Sequence, residues 1–104
     1  SQNLVWLAEI NALRGLVADD ADLVARAYDR IAREIRVVAP GAEGVQADMS
    51  LLQHRRCLYN HGYGASFAVD ATRLAGLLAG TRFALPPERV ALLESFLLDG
   101  SQWM

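Results

Sequence analysis

The chain has 104 residues, enough for one domain with one core, and 53% of them are hydrophobic, which excludes wholesale disorder. Charged residues make up 21% and the formal net charge is −2, so no strongly basic face is present and nucleic-acid binding is disfavoured. The low content of charged residues leaves apolar surface uncovered after folding, and this indicates a protein partner or self-association.

The cysteine content and the N-terminal stretch indicate a cytoplasmic protein. The single cysteine, Cys57, cannot form an internal disulfide, which fits a reducing compartment. No signal peptide is recognisable, because the first stretch lacks a basic region and carries Glu9 and Arg14 within its apolar part. No run reaches the roughly 20 apolar residues of a membrane span. We therefore expect a cytoplasmic location and no membrane span.

The first predicted helix covers residues 4–17. Its apolar residues repeat with helical spacing at Trp6, Ile10, Leu13 and Val17. Gly15 weakens a helix by about 1 kcal/mol relative to Ala, and indicates a close contact or an approaching helix end. A break near Asp19 or Asp20 is the preferred interpretation, because Asp is a good N-cap. One continuous helix over residues 4–38 is the alternative.

The second predicted helix covers residues 20–38 and has the clearest apolar stripe of the chain. The stripe consists of Val24, Tyr28, Ile31, Ile35 and Val38. The opposite face, which we expect to be solvated, carries Arg26, Arg30, Arg33 and Glu34. Pro40 and Gly41 end the helix.

Three further helices are predicted in the rest of the chain. The third covers residues 45–60 and is broken by the glycines at 62 and 64. The fourth covers residues 66–79 and ends at Gly80, with an extended conformation of residues 64–69 as the alternative. The last covers residues 86–99, with Pro86 and Pro87 in its first turn. It has two apolar stripes, so it is either buried or shared with a partner.

These elements predict an all-α fold with about five helices, as one domain over residues 1–104. Short connections between the helices favour an antiparallel helical-hairpin bundle. No strand is expected.

Three polar residues, His54, Cys57 and His61, share a face of the predicted third helix and are the candidates for chemistry. The outer two lie about 10 Å apart along a helix axis, too far to bind one ion. We therefore expect two polar histidines, a small buried thiol, and no metal or cofactor. A small enzyme or metal site at these residues, with Cys57 as nucleophile, is an alternative.

Residues 51–62 resemble the first helix of a tetratricopeptide repeat running into its turn, and residues 67–74 resemble the second helix. Residues 28–40 similarly resemble a second helix that closes at its proline. With the opening Leu7-Ala8-Glu9-Ile10 and the short length, the chain is similar to small tetratricopeptide-like chaperones of bacterial type III secretion. This resemblance implies a helical-repeat fold that holds export subunits in the cytoplasm and carries no catalytic residues.

The sequence therefore predicts a non-catalytic protein-binding module, such as a cytoplasmic chaperone or adaptor, whose partner is another protein or a second copy. The expected contact surface consists of Trp6, Leu92, Phe96 and Trp103. A dimeric helical transcriptional regulator is an alternative. It would contact DNA through Arg55, Arg56 and Arg73.

Overall fold

A computed structural model describes residues 1–54 and 57–103, and this part is mostly helical with a small sheet. Four α-helices lie within it: α1 Gln2–Val17, α2 Ala21–Glu34, α3 Ala65–Leu78 and α4 Pro87–Ser95. Three short strands follow α2: β1 Gly44–Val45, β2 Leu51–Gln53 and β3 Cys57–Leu58. The predicted all-α class is thus confirmed only as a mostly helical fold. No helix of the described part is long and apolar enough to span a membrane.

The break between the first two helices lies where the sequence predicts it, so the continuous-helix alternative is wrong. Asp19 has a φ of +54°, in the left-handed region that ends helices. The Asp20 carboxylate then accepts a hydrogen bond of 3.0 Å from the Leu23 amide, as an N-cap does. The two helices therefore form a hairpin, and the connection between them is residues 18–20.

The buried face of α1 is not the one that the large apolar residues predict. Its buried residues include Val5, Ala8, Ala12 and Gly15. Large apolar side chains of the predicted stripe are exposed instead, Ile10 among them. Small residues on the inner face allow α2 to approach closely, since a Cβ on Gly15 would lie 2.8 Å from Cγ2 of Val24.

The predicted third helix is wrong, because its residues form the sheet. β1 pairs antiparallel with β2, Val45 facing Leu51, and β2 pairs antiparallel with β3, Gln53 facing Cys57. Met49 and His54 have φ values of +64° and +53°, which no helix interior tolerates. All of β2 is buried, so the strand lacks the alternating pattern by which short strands are recognised.

The helices in the second half agree with the sequence prediction. The core continues through α3 into the C-terminal segment, where Phe67 packs edge-to-face on Phe96 with ring centroids 5.4 Å apart. A π-helical turn, Asn60–Gly64, leads into α3, and a second, Phe96–Gly100, follows α4. A final 3-10 turn spans Ser101–Trp103.

The packing of α1 on α2 yields a prediction with a matched control. Gly15→Ala adds a methyl that overlaps Val24. Overpacking costs typically about 1–3 kcal/mol, which exceeds the gain of about 1 kcal/mol from better helix propensity. Gly76→Ala adds the same methyl to an exposed position of α3 with nothing within 4 Å. Thermal melts should show a lower melting temperature for the first variant and an equal or higher one for the second. A stabilised Gly15→Ala variant would contradict this packing.

Candidate functional site

Four aromatic side chains meet at the surface where the sheet joins α1 and α3. We call His54, Tyr59, Tyr63 and Trp6 the aromatic cluster. The His54 ring centroid lies 4.8 Å from that of Tyr63 and 5.6 Å from that of Tyr59, both edge-to-face. Tyr59 and Tyr63 are 5.2 Å apart, and Trp6 packs on Tyr63 at 5.9 Å. His54, Tyr59 and Trp6 are exposed and Tyr63 is half-buried. Solvent therefore reaches the ionisable groups of the cluster, and the ring contacts hold these groups in place.

The backbone beneath the cluster is unusual at two places. His54 occupies the left-handed region at φ +53°, which costs a non-glycine residue about 1–3 kcal/mol. The π-helical turn that carries Tyr63 is closed by the Gly64 amide, which donates to the Tyr59 carbonyl at 2.6 Å. Strained residues and π-helical turns are frequent at functional sites. Their coincidence at one cluster marks it as the candidate site.

Hydrogen bonds between elements hold this backbone in place. The Asn60 side-chain oxygen accepts a 2.8 Å hydrogen bond from the Leu51 amide, which ties the π-helical turn to β2. The Gln53 side-chain oxygen accepts one of 3.2 Å from the Gln2 amide, which ties β2 to the start of α1. Gln53, the residue before His54, is therefore anchored to α1. This anchor helps to fix the position of the His54 ring.

A second polar network lies beside Trp6. Oδ2 of Asp70 accepts hydrogen bonds from Nε1 of Trp6 at 2.9 Å and from Nε2 of Gln2 at 2.6 Å. Arg73 lies 3.8 Å from Oδ1 of Asp70 and donates to Glu9 at 2.5 Å. The hydrogen bond to Glu9 raises the pKa of Arg73. The indole N–H of Trp6 is thus linked through Asp70 and Arg73 to Glu9.

The turn ahead of β2 is fixed by a carboxylate. Oδ1 of Asp48 accepts hydrogen bonds from Oγ of Ser50 at 2.6 Å and from its amide at 3.0 Å. The hydroxyl hydrogen bond, followed by the amide hydrogen bond, lowers the pKa of Asp48 below its ordinary value. This turn sets the start of the strand that ends at His54.

The polar residues predicted to share one helix face lie in different elements. His54 belongs to the aromatic cluster, Cys57 is exposed on β3, and His61 is exposed in the π-helical turn. The expected buried thiol is therefore wrong. Over residues 1–54 and 57–103, no group of three or more His, Cys, Asp or Glu side chains could hold a metal ion.

The residues predicted as a contact surface are dispersed. Phe96 is buried in the core, Leu92 is half-buried, and Trp103 is 77% exposed near the C-terminal end. Trp6 alone of the four belongs to the aromatic cluster. Of the predicted DNA-contacting arginines, Arg73 is paired with Glu9, while Arg55 and Arg56 lie outside the described residues.

Sequence reasoning missed Tyr59, Tyr63 and Asp70. A signal for Tyr63 was present, because it stands between Gly62 and Gly64, and two glycines around one aromatic indicate a special turn. The contact of Tyr63 with His54, nine positions earlier in the chain, depends on the sheet and was not readable from the spacing.

Comparison with known proteins gives a consistent result. Residues 2–101 match the family model described as polysaccharide lyase family 8, N-terminal alpha-helical domain. A hyaluronate lyase of Thermasporomyces composti is 32% identical over 94 residues, which are 89% of this chain and 12% of that protein. A xanthan lyase of Bacillus sp. (strain GL1) is 31% identical over 84 residues, which are 80% of this chain and 9% of that protein.

A solved structure shares the fold. It belongs to a chondroitinase AC lyase whose active site was described from enzyme–oligosaccharide complexes. That structure superposes with a TM-score of 0.88 at 30% identity, over 94% of this chain and 14% of the other. The chain therefore spans about a tenth of the length of the relatives it matches.

These matches overturn three expectations. The resemblance to type III secretion chaperones is wrong, because residues 2–101 match a family of polysaccharide lyases. The interpretation as a chaperone or adaptor is wrong for the same reason. The expectation that the chain is not an enzyme is also contradicted, since its relatives are named as enzymes.

The turn at Asp48 yields a pH prediction. Because its pKa is lowered in the folded chain, this carboxylate stabilises the fold above about pH 4, and the contribution is lost as the pH falls through the lowered pKa. Ser50→Ala removes the hydroxyl hydrogen bond, so the Asp48 pKa should rise. An NMR titration of the Asp48 carboxyl measures this, with Asp99 followed as an internal reference. An unchanged Asp48 pKa would contradict the assignment.

Proposed function

This chain belongs to polysaccharide lyase family 8, within the N-terminal α-helical domain, and from that premise we propose that it is part of an enzyme that cleaves polysaccharides by elimination. The substrate class we propose is that of its relatives, which are named for hyaluronate, xanthan and chondroitin. The observation that supports the proposal most directly is the contact of His54 with Tyr63 on strained, solvent-accessible backbone.

Elimination has two proton transfers that the protein must serve. A base takes a proton from the carbon next to the one that bears the glycosidic oxygen. The electron pair of that C–H bond forms a double bond, the C–O bond breaks, and an acid protonates the leaving oxygen. No water is consumed. Histidine and tyrosine are among the side chains that perform such transfers.

We assign the base to His54 and the acid to Tyr63. A neutral imidazole accepts protons at neutral pH, and a phenol hydroxyl carries a proton to donate. The two rings lie 4.8 Å apart, centroid to centroid, and both belong to the accessible cluster. Tyr59 contacts both rings edge-to-face and would hold them in this arrangement without taking part in proton transfer.

Removing either group should reduce turnover in the complete polypeptide that contains this chain. Tyr63→Phe keeps the ring packing and removes the hydroxyl, while His54→Ala removes the imidazole. Each should lower kcat on hyaluronan by about 10²-fold or more, the usual contribution of a general acid or base. The ultraviolet absorbance of the new double bond measures the rate.

His61→Ala is the matched control for this experiment, because His61 is exposed and makes no ring contact with the four residues of the aromatic cluster. Its kcat should equal that of the unaltered enzyme. Full activity of Tyr63→Phe would remove Tyr63 from the proposed chemistry, and an inactive His61→Ala variant would move the base assignment away from His54.

The outer face of α1 supports the place of this chain in a longer protein. Exposed apolar side chains line it: Leu7, Ile10, Leu13, Leu16 and Val17. Such a contiguous apolar face is typical of a surface that another element covers. We propose that other helices of the same polypeptide pack on it, since the relatives are several times longer than this chain.

A stability measurement on the complete polypeptide tests this covering. Leu13→Ala should lower the free energy of unfolding by about 2–5 kcal/mol if Leu13 is buried by other helices. Arg26→Ala, at an exposed polar position of α2, is the control and should change it by less than about 0.5 kcal/mol. Equal, small effects of both substitutions would show that the α1 face stays in solvent.

A further inference from the structure

We propose that Trp6 is a platform on which an uncharged sugar ring of the substrate stacks, and that Asp70 positions it. This inference rests on the proposed function and adds a binding subsite beside the proton-transfer pair. Trp6 is 41% exposed although it makes two specific contacts. An exposed, flat apolar surface held in one orientation suits the C–H face of a sugar ring.

Two contacts fix the orientation of the indole. Its N–H donates to Asp70 at 2.9 Å, and its ring packs on Tyr63 with an interplanar angle of 48°. A tryptophan with one contact could rotate about its side-chain bonds, whereas these two contacts define the plane of the ring. The platform is therefore joined to Tyr63, the residue assigned as acid, by direct ring contact.

The acceptor for the indole, Asp70, is partly buried and is tied to a buried side chain. Asp70 also accepts a hydrogen bond of 2.6 Å from Nε2 of Gln2, a side chain that is fully buried. Oε1 of Gln2 has no hydrogen-bond partner among the described residues. The Gln2 side-chain amide thus donates to Asp70 while its own oxygen stays unpaired, and an unpaired buried oxygen costs free energy. Asp70 is held by the fold and in turn holds Trp6.

The charges around the platform determine which sugar it accepts. Asp70 and Glu9 carry two negative charges, and Arg73 supplies one positive charge that lies between them. The group has a net charge of about −1 at neutral pH. A stacked ring with its own carboxylate or sulfate would be repelled, whereas a neutral N-acetylhexosamine would not. The platform therefore selects an uncharged ring.

Steady-state kinetics on the complete polypeptide test the platform. Two polymers serve as probes: hyaluronan, whose hexosamine is unsulfated, and chondroitin sulfate, whose hexosamine is sulfated. Trp6→Ala should raise KM for hyaluronan about tenfold with kcat unchanged, as expected for loss of binding common to ground and transition states. Trp6→Phe, which keeps a smaller aromatic face, should have an intermediate KM. A lower kcat with unchanged KM, or no change in either, would overturn the platform.

Two substitutions of Asp70 separate position from charge. Asp70→Asn keeps an oxygen that accepts from Trp6 and Gln2, so KM for hyaluronan should stay the same while KM for chondroitin sulfate falls. Asp70→Leu removes the acceptor, and KM for hyaluronan should rise as in Trp6→Ala, with thermal melts confirming a folded variant. If Asp70→Asn leaves the ratio of the two KM values unchanged, the charge selection is wrong.

Direct binding distinguishes failure of this inference from failure of the proposed function. Titration calorimetry with hyaluronan oligosaccharides needs no turnover. Trp6→Ala should weaken the Kd about tenfold, while Trp103→Ala, at the other exposed indole of this chain, should leave it unchanged. An enzyme inactive on both polymers, but with this pattern of Kd values, would retain the platform and reject the proposed reaction. Equal Kd values for all three proteins would reject the platform even in an active enzyme.

Discussion

Gln2 joins three elements at one buried point, and the arrangement of the site depends on that junction. Its amide donates to Gln53 at the end of β2, and its side chain donates to Asp70 on α3. Each hydrogen bond contributes about 1 kcal/mol net, but a buried partner left alone costs about 1–3 kcal/mol. The start of α1, the sheet and α3 therefore cannot shift independently, and His54, Trp6 and Tyr63 keep their relative positions.

Ring contacts explain how backbone strain persists at His54. A left-handed backbone at His54 costs about 1–3 kcal/mol. Edge-to-face ring pairs contribute about 0.5–1.5 kcal/mol each beyond area burial, and His54 takes part in two of them. The ring contacts thus offset the strain of the backbone. Substituting Tyr59 would remove support from both neighbours at once.

The parts of the fold that could be predicted are those governed by local rules. The Asp20 N-cap and the two prolines at the start of α4 are signals within one turn of sequence, and the apolar stripe of α2 is a periodicity within one helix. The inner face of α1 could not be identified, because Ala8, Ala12 and Gly15 carry the packing, whereas the large apolar residues face outward. The sheet was mistaken for a helix because β2 is buried on both faces.

The candidate site was only partly predictable from the sequence, because most of its contacts join residues that are distant in the chain. His54 was among the candidate residues, yet it was grouped with Cys57 and His61 on a helix that does not form. Its real neighbours, Tyr59 and Tyr63, are brought to it by strand pairing and by the π-helical turn. Neither the left-handed backbone of His54 nor the contact of Asp70 with Trp6 across 64 positions is encoded in local spacing.

The two sides of the aromatic cluster differ in charge, and this difference has a consequence for a polymer that alternates neutral and charged sugars. His54 and Tyr63 contact each other and Tyr59, whereas Trp6 donates to Asp70, which is linked through Arg73 to Glu9. If a neutral sugar stacks on Trp6, the charged sugar next to it in the polymer lies farther from Asp70 and nearer to His54 and Tyr63. A shift of the polymer by one sugar would place a negative ring beside Asp70, in a group whose net charge is negative, and like-charge repulsion disfavours this position. The platform would then act as a register device: it would determine which bond of the repeating unit reaches His54 and Tyr63, without itself taking part in the proton transfers.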